Sequence, residues 1–135
     1  MKKHTLLSAL LLLFGLTFSN AQKLDLPRLS PRASTSWTIG YTKVTVTYGS
    51  PATKGRVIWG GLVPYDSIWR GGADEATTVE FSTDVNVEGQ TLKAGKYALF
   101  FIPGEREWTV IFNKKWDQWG AYAYNEDEDA ARFTV

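Results

Sequence analysis

The sequence predicts an all-β domain, either an antiparallel β-sandwich or a flattened barrel of the jelly-roll kind. Short segments alternate apolar and polar residues with the period of two that is typical of strands. Turn-forming residues recur about every 8 to 12 positions, and no heptads, internal repeats or long helical periodicity interrupt them. The six Trp and six Tyr residues also suit a thin sandwich, because each buried aromatic ring removes roughly 150–250 Å² from water.

The N-terminus has the pattern of a secretory signal peptide over residues 1–21. A basic start precedes an apolar stretch at residues 6–18, and Ser19-Asn20-Ala21 is a small-residue cleavage site. The apolar stretch, about 13 residues, is shorter than the roughly 20 that span a bilayer. No cysteine follows it to carry a lipid. We therefore expect an exported protein, periplasmic or secreted, with no transmembrane anchor after cleavage.

Removing this leader changes the charge balance of the chain. The 15 Lys and Arg residues include two in the leader, which leaves 13 against 14 Asp and Glu, a formal net charge of −1. Proteins that bind nucleic acid usually carry a marked basic excess on one face. We therefore expect no nucleic-acid partner.

The mature chain also lacks the side chains that much enzyme chemistry requires. The only histidine is His4, the only methionine is Met1, and cysteine is absent. Catalytic triads, Cys-His pairs, His- or Cys-based zinc sites and His- or Met-held haem are excluded. Carboxylate pairs, Lys or Tyr bases and oxygen-ligated calcium remain. We predict no cofactor and no metal site, and whether the protein is an enzyme stays open, with a non-enzymatic role favoured.

The first part of the mature chain is predicted to be an extended arm followed by two strands. The arm covers residues 22–36, which are polar and contain two prolines. The single β domain covers residues 37–135. Strands are predicted at Trp37–Ile39 and Thr42–Tyr48, and Gly49-Ser50-Pro51 ends the second, because proline cannot donate to a ladder.

The middle of the domain contains the clearest strand signals. Thr77–Ser82 alternates in period two, and residues 85–92 read as a tight hairpin around Glu88-Gly89. Tyr97–Ile102 and Trp108–Phe112 are the most apolar segments and flank a four-residue turn. Since they are apolar on both faces, we expect them to form a central antiparallel pair.

The C-terminal part is less regular. Residues 125–131 suggest a short helix or an acidic loop, and Arg132–Val135 begins a strand. The acidic run Glu126–Asp129 lacks the spacing of a calcium-binding loop, which favours a solvated turn. Because the chain stops as a strand begins, we expect a shortened sequence and a further C-terminal strand in the complete domain.

The most specific segment of the chain runs from Tyr48 to Phe81: YGSPATKGRVIWGGLVPYDSIWRGGADEATTVEF. Together with later strings it resembles an exported bacterial family catalogued as domain of unknown function 2911, common among Bacteroidota. The resemblance covers nearly the whole mature chain and implies an exported protein without naming an activity. The matching strings are Tyr48–Pro51, Lys54–Arg56, Ile58–Tyr65, Trp69–Thr78, Leu92–Tyr97, Glu107–Val110 and Gln118–Gly120.

Two kinds of candidate site lie in this segment. The pairs Gly60-Gly61 and Gly71-Gly72 permit close approach of a ligand to backbone amides, although such pairs more often make tight turns. Arg70 with Asp74 and Glu75 is the best charged group, because the guanidinium fork binds carboxylates and phosphates. The simpler interpretation, which we favour, is a salt bridge that ties the acidic residues to Arg56 or Arg70.

The tryptophans offer a stacking surface for a sugar ring or an aromatic group. Most of the six are expected in the core with the indole N–H bonded to a carbonyl, and one or two at most on the surface. Trp116 and Trp119, three positions apart in a polar stretch, are the pair most suited to exposure.

Three functional classes therefore remain open. The leading hypothesis is a small-ligand or glycan binding module of the cell envelope, with a concave face lined by Trp59, Tyr65 and Trp69 and with Arg70 and Asp74 orienting the ligand. The alternatives are a structural or protein-interaction domain of the envelope and a carboxylate-dependent hydrolase that uses Asp74, Glu75 or Asp117. The candidate ligand-binding residues are Arg56, Trp59, Tyr65, Trp69, Arg70, Asp74, Glu75, Trp116 and Trp119.

Overall fold

The structure, a computed structural model, describes residues 26–135, so the predicted signal peptide and residues 22–25 of the predicted arm lie outside the described residues. The described chain is all-β, as predicted, with one turn of 3₁₀ helix at Glu126–Glu128. Within it no helix has the length and apolarity needed to cross a membrane. The strands are β1 Arg32–Ile39, β2 Thr42–Gly49, β3 Thr78–Phe81, β4 Val85–Val87, β5 Gln90–Leu92, β6 Gly95–Pro103, β7 Trp108–Asn113 and β8 Asp129–Thr134.

Six strands form one antiparallel sheet in the order β1-β2-β3-β6-β7-β8, and β4 and β5 form a separate hairpin. The predicted central pair is confirmed: β6 and β7 lie inside the sheet and pair in register, with Leu99 opposite Phe112. The predicted β4–β5 hairpin is also confirmed, and its Gln90 side chain donates to the Arg132 carbonyl of β8 at 2.8 Å. The hairpin therefore covers one face of the sheet.

Two strands begin three or more residues earlier than the sequence predicts, and β6 begins two residues earlier, at Gly95. β1 starts at Arg32 rather than Trp37, so part of the segment expected to be an extended arm is a strand. The first part of β1 is small and polar, so it lacks the apolar alternation that predicts a strand. Pairing with β2 holds it in the strand conformation, and the hydroxyl contacts Ser34–Thr47 and Ser36–Thr45 support this pairing. β8 starts at Asp129 rather than Arg132, directly after the single 3₁₀ turn.

The face under the hairpin carries the larger apolar core. Aromatic rings fill it, with Phe112 at 6.1 Å from Phe81 and 6.4 Å from Tyr97 between ring centroids. The Tyr97 hydroxyl donates to the Lys93 carbonyl at 2.8 Å, which satisfies its polar end. The buried members of this core are Val79, Phe81, Leu92, Tyr97, Phe112 and Ala131.

The opposite face is covered by the segment between β7 and β8. Phe100 and Ile111 are fully buried there, and the Tyr124 ring packs edge-on against Phe100 at 5.2 Å. The Tyr124 hydroxyl donates to Asp129 at 2.8 Å. Burial, followed by this hydrogen bond to a carboxylate, raises the pKa of Tyr124 far above its usual value.

Part of the long connection between β2 and β3 pairs with β6, beyond the end of β3. Trp69 and Phe101 exchange backbone hydrogen bonds of 2.7 and 2.8 Å, and the Asp66 amide donates to the Pro103 carbonyl at 2.8 Å. The connection is thereby held against a central strand rather than left as a free loop. It positions the residues of the candidate site.

Candidate functional site

Ser30 and residues of the β2–β3 connection line a cleft of about 530 Å³, here called the Trp–Arg cleft. Its lining combines two indoles, two guanidinium groups and small apolar residues. The residues that line it are Ser30, Pro51, Ala52, Thr53, Arg56, Ile58, Trp59, Leu62, Val63, Trp69, Arg70, Gly72 and Ala73.

A cluster of aromatic rings forms one wall of this cleft. Trp59 packs edge-to-face against Trp69 at 5.3 Å and against Trp108 at 4.7 Å. Trp69 also contacts the Phe101 ring at 5.8 Å. The neighbouring rings support the Trp59 indole. Because Trp59 is still 42% exposed, it also presents apolar surface to solvent.

A tight turn sets the position of Trp59. The Val63 amide donates to the Ile58 carbonyl at 2.8 Å, and the Gly60 amide donates to the Val63 carbonyl at 2.9 Å. Gly60 has a φ of +72°, and a Cβ there would lie 2.8 Å from the Tyr65 ring. Gly60 is therefore required by both backbone and packing, and Tyr65 supports the turn without lining the cleft.

The two arginines of the cleft differ in their surroundings. Arg56 donates from Nε to the Thr53 carbonyl at 2.9 Å and from Nη2 to the Ala52 carbonyl at 2.8 Å, which holds the loop after β2. Arg70 has a buried Nε with no hydrogen-bond partner among residues 26–135. Since the described lining contains no carboxylate, the cleft carries an excess of positive charge.

The acidic pair lies outside this cleft. Asp74 has a φ of +63°, and its carbonyl accepts from the Gly120 amide at 3.0 Å. Glu75 accepts from Arg28 at 2.8 and 2.9 Å and from Arg32 at 3.3 Å. The loop is thus tied by Arg28 and Arg32, and the predicted salt bridge to Arg56 or Arg70 is wrong.

These contacts set the protonation of Glu75. A hydrogen bond from its own backbone amide, followed by the one from Arg28, holds its pKa below the usual value for a glutamate. A general acid in a hydrolase needs a raised pKa instead. The surroundings of Glu75 therefore suit an ion pair better than proton donation.

A second cleft of about 310 Å³, here called the Trp119 cleft, lies beside Glu75. It contains the predicted tryptophan pair: Trp116 is 43% exposed and Trp119 is 58% exposed. The Lys96 ammonium lies 4.4 Å from the centre of the Trp116 ring. The lining residues are Arg32, Glu75, Ala76, Thr78, Lys96, Trp116, Asp117, Gln118 and Trp119.

The predicted site residues are thus divided between two clefts. Arg56, Trp59, Trp69 and Arg70 line the Trp–Arg cleft, whereas Glu75, Trp116 and Trp119 line the Trp119 cleft. Tyr65 and Asp74 line neither. The expectation of one or two exposed tryptophans is wrong, because four are exposed: Trp37, Trp59, Trp116 and Trp119.

Several residues of the two clefts were not found by sequence reasoning. Trp108 supports Trp59 from β7, and Lys96 and Gln118 line the Trp119 cleft. All three residues lie in strings that resemble the family, which was the available signal. Their roles depend on strand pairing, which sequence spacing does not show.

Comparison with known proteins identifies the family of the chain. The family model described as "Protein of unknown function (DUF2911)" matches residues 30–135. No curated protein and no solved structure matches the chain. The chain belongs to the DUF2911 family.

Proposed function

We propose that this member of the DUF2911 family is an exported binding module of the cell envelope. Its ligand is a small molecule that combines an anionic group with an apolar or aromatic ring, and the Trp–Arg cleft binds it. One observation carries the proposal: two guanidinium groups and two indoles line a single cleft whose described lining has no carboxylate.

The charges of the cleft favour an anion. Arg70 and Arg56 face a space without a described acidic side chain, and the guanidinium fork pairs with a carboxylate or phosphate in two parallel hydrogen bonds. Arginine also keeps its charge throughout the accessible pH range. It therefore suits binding and orientation of an anion better than proton transfer.

The aromatic wall favours a ligand with a ring. Trp59 presents part of its indole to the cleft while Trp69 and Trp108 hold it from behind. A ligand ring gains both apolar burial and the preferred offset or edge-to-face geometry against such a surface. The cleft volume of about 530 Å³ falls in the range of small-molecule sites.

The site is also largely preorganised. The Trp69 backbone is held by two hydrogen bonds with Phe101, its ring packs against the rings of Trp59, Phe101 and Trp108, and the Arg56 guanidinium is held by two backbone carbonyls. Side chains that are already immobile lose little conformational entropy when a ligand binds. This rigidity supports a binding role for the cleft.

Calorimetric titration with three matched probes tests the proposal. Phenylacetate and phenyl phosphate carry a ring and an anionic group, and phenylacetamide carries the same ring without charge. We expect the two anions to bind at least about tenfold more tightly than the amide. Equal affinity for the amide, or no binding of either anion at about 5 mM, would contradict the proposal.

A second role is favoured by the edge strand β1. The Ser50 amide donates to the Pro31 carbonyl, and hydrogen-bonded pairs alternate along an antiparallel ladder. Odd-numbered residues of β1 therefore bond with β2 through their backbone, and the N–H and C=O groups of even-numbered residues face away from β2. Trp37 and Ile39 are exposed beside this edge. Such an edge is suited to pairing with a strand of an envelope protein.

Proline substitution tests this second role. Ser36→Pro removes an outward N–H without removing a β1–β2 backbone hydrogen bond, and Ser36→Ala, which loses the same hydroxyl contact to Thr45 but keeps the N–H, is its control. We expect the variant to lose a partner that the unaltered protein recovers from envelope extract at equal stoichiometry, and Glu105→Gln to retain it. Recovery of the partner by Ser36→Pro would argue against pairing through β1.

A further inference from the structure

The Trp119 cleft lies on the opposite face of the sheet from the Trp–Arg cleft. Lys96 lines the Trp119 cleft and directly precedes Tyr97, whose ring packs in the core under the β4–β5 hairpin. Adjacent strand residues point to opposite faces. The aromatic wall of the Trp–Arg cleft contacts Phe101. Phe101 lies four positions after Tyr97 in β6, so both residues point to the face that the β4–β5 hairpin covers. The two clefts are therefore separate sites.

Trp119 is an exposed indole on an immobile backbone. The Ala76 amide donates to the Gln118 carbonyl and the Gly120 amide donates to the Asp74 carbonyl, both at 3.0 Å. Gly120 is buried with a φ of +65°, and a Cβ there would lie 2.9 Å from the Tyr122 ring. The 58% exposure of Trp119 is thus built into a fixed chain segment rather than produced by a free loop tip.

The floor of the cleft offers hydrogen-bonding groups beside this ring. Gln118 is only 7% exposed, and its Nε2 donates to the Lys115 carbonyl. Its Oε1 is buried and has no hydrogen-bond partner within residues 26–135, although unpartnered buried acceptors are uncommon. Thr78 adds a hydroxyl to the same lining.

The hydroxyl groups continue beyond the cleft toward the edge of the sheet. Thr78 lies opposite Thr47 in the β2–β3 register, and directly opposed residues share one face. Thr47 is in turn 3.0 Å from Ser34 between hydroxyl oxygens. A polar, hydroxyl-bearing row therefore leads from the cleft across β2 to β1.

The charges that line the cleft are balanced. Arg32 and Lys96 oppose Glu75 and Asp117. Glu75 is already paired with Arg28 and Arg32, and Lys96 lies over the Trp116 ring. Unlike the Trp–Arg cleft, this cleft has no excess of either charge and suits a neutral, polyhydroxylated ligand.

We propose that the Trp119 cleft is a saccharide-binding site. One pyranose ring stacks its C–H face on Trp119, and its hydroxyls bond with Gln118 Oε1, Thr78 and Lys96. Further sugar units extend along the hydroxyl row toward Ser34. This site is independent of the proposed anion site, since it rests on different residues on the other face.

Titration of the full mature chain with neutral oligosaccharides tests this site. Cellotetraose, chitotetraose and xylotetraose are the probes, and binding is followed by calorimetry and tryptophan fluorescence. We expect at least one probe to bind with a Kd below about 5 mM. Failure of all three to bind at that concentration overturns the proposal, while the anion-binding measurements with phenylacetate remain unaffected.

Substitutions locate the binding. Trp119→Ala is expected to weaken it at least about tenfold, because stacking on an aromatic side chain supplies a large part of such an affinity. Trp119→Phe restores part of it, and Thr78→Val weakens it while keeping the volume of the side chain. Trp37→Ala, which removes another exposed indole, leaves it unchanged. Equal binding by Trp119→Ala and Trp37→Ala overturns the assignment.

Discussion

Trp69 and Phe101 exchange both of their backbone hydrogen bonds, at 2.7 and 2.8 Å, and their rings lie 5.8 Å apart. This pairing attaches the β2–β3 connection to a strand inside the sheet. The Trp–Arg cleft consequently takes its shape from the sheet itself, and a change in the cleft wall is expected to affect stability as well as binding.

Arg70 is predicted to provide anion affinity in the Trp–Arg cleft. Arg70→Gln removes the charge while keeping a polar side chain, and we expect the Kd for phenylacetate to rise about tenfold or more, since hydrogen bonds to charged groups contribute about 1.5–3 kcal/mol. Calorimetric titration measures the change. Arg106→Gln removes an equal charge from the β6–β7 turn and should leave the Kd unchanged. An equal rise in both variants would indicate a general charge effect.

Gly60 is predicted to be more sensitive to substitution than Gly40. Both have positive φ, +72° and +60°, but only at Gly60 would a Cβ meet a neighbouring ring, that of Tyr65. We expect Gly40→Ala to lower the free energy of unfolding by about 1 kcal/mol through backbone strain, and Gly60→Ala by about 1 kcal/mol more through the clash. Urea unfolding compares them, and equal losses would remove the role assigned to Tyr65.

Glu75 is predicted to make stability depend on pH in the acid range. Its pKa in the folded protein is lowered from the ordinary value of a glutamate, chiefly by its own backbone amide and then by Arg28. The stabilisation is therefore complete above the unfolded pKa and is lost as pH falls through the folded pKa. Urea unfolding from about pH 6 to about pH 3 should show a shallower loss for Glu75→Gln than for the unaltered protein. Glu105→Gln, in an exposed turn, serves as the control, and identical profiles for the two variants would contradict the ion pair.

Phe100 is predicted to be a main support of the core on the face opposite the hairpin. It is fully buried and contacts the Tyr124 ring at 5.2 Å. Phe100→Ala should lower the free energy of unfolding by about 3–5 kcal/mol, because it removes buried apolar surface and leaves a cavity. Tyr41→Ala, at a fully exposed ring, should change it by less than about 0.5 kcal/mol. A loss below about 1 kcal/mol for Phe100→Ala would show that the segment between β7 and β8 does not seal this core.

The strands that were predicted from the sequence are those that the local pattern encodes fully. β6 and β7 are apolar on both faces and flank a short turn, so their pairing followed from local chemistry. β1 was placed too late because Arg32–Ser36 has no apolar alternation. Its strand conformation depends on the ladder and the Ser–Thr contacts that β2 supplies.

The candidate site also combines features that the local sequence predicts with features that depend on tertiary contacts. Trp59, Trp69 and Arg70 were named because unusual residues were concentrated in one segment. Their separation from Glu75 and Trp119 was not predicted, because neighbouring residues of that segment line different clefts and the second cleft also takes residues from β1, β6 and the segment between β7 and β8.

The residues alone determined the all-β class, the central antiparallel pair and the family, and they predict the kinds of chemistry available to residues 22–135. These properties follow from local periodicity, from turn residues and from side-chain types, which need no knowledge of distant contacts. Tertiary structure decided which charges meet and which rings remain exposed. Glu75 pairs with Arg28 and Arg32, more than forty positions away, and Trp119 is held by Asp74 and Ala76 through the backbone of its neighbours. Such contacts depend on how the strands and connections pack, and side chains distant in the sequence become neighbours only after the sheet has formed.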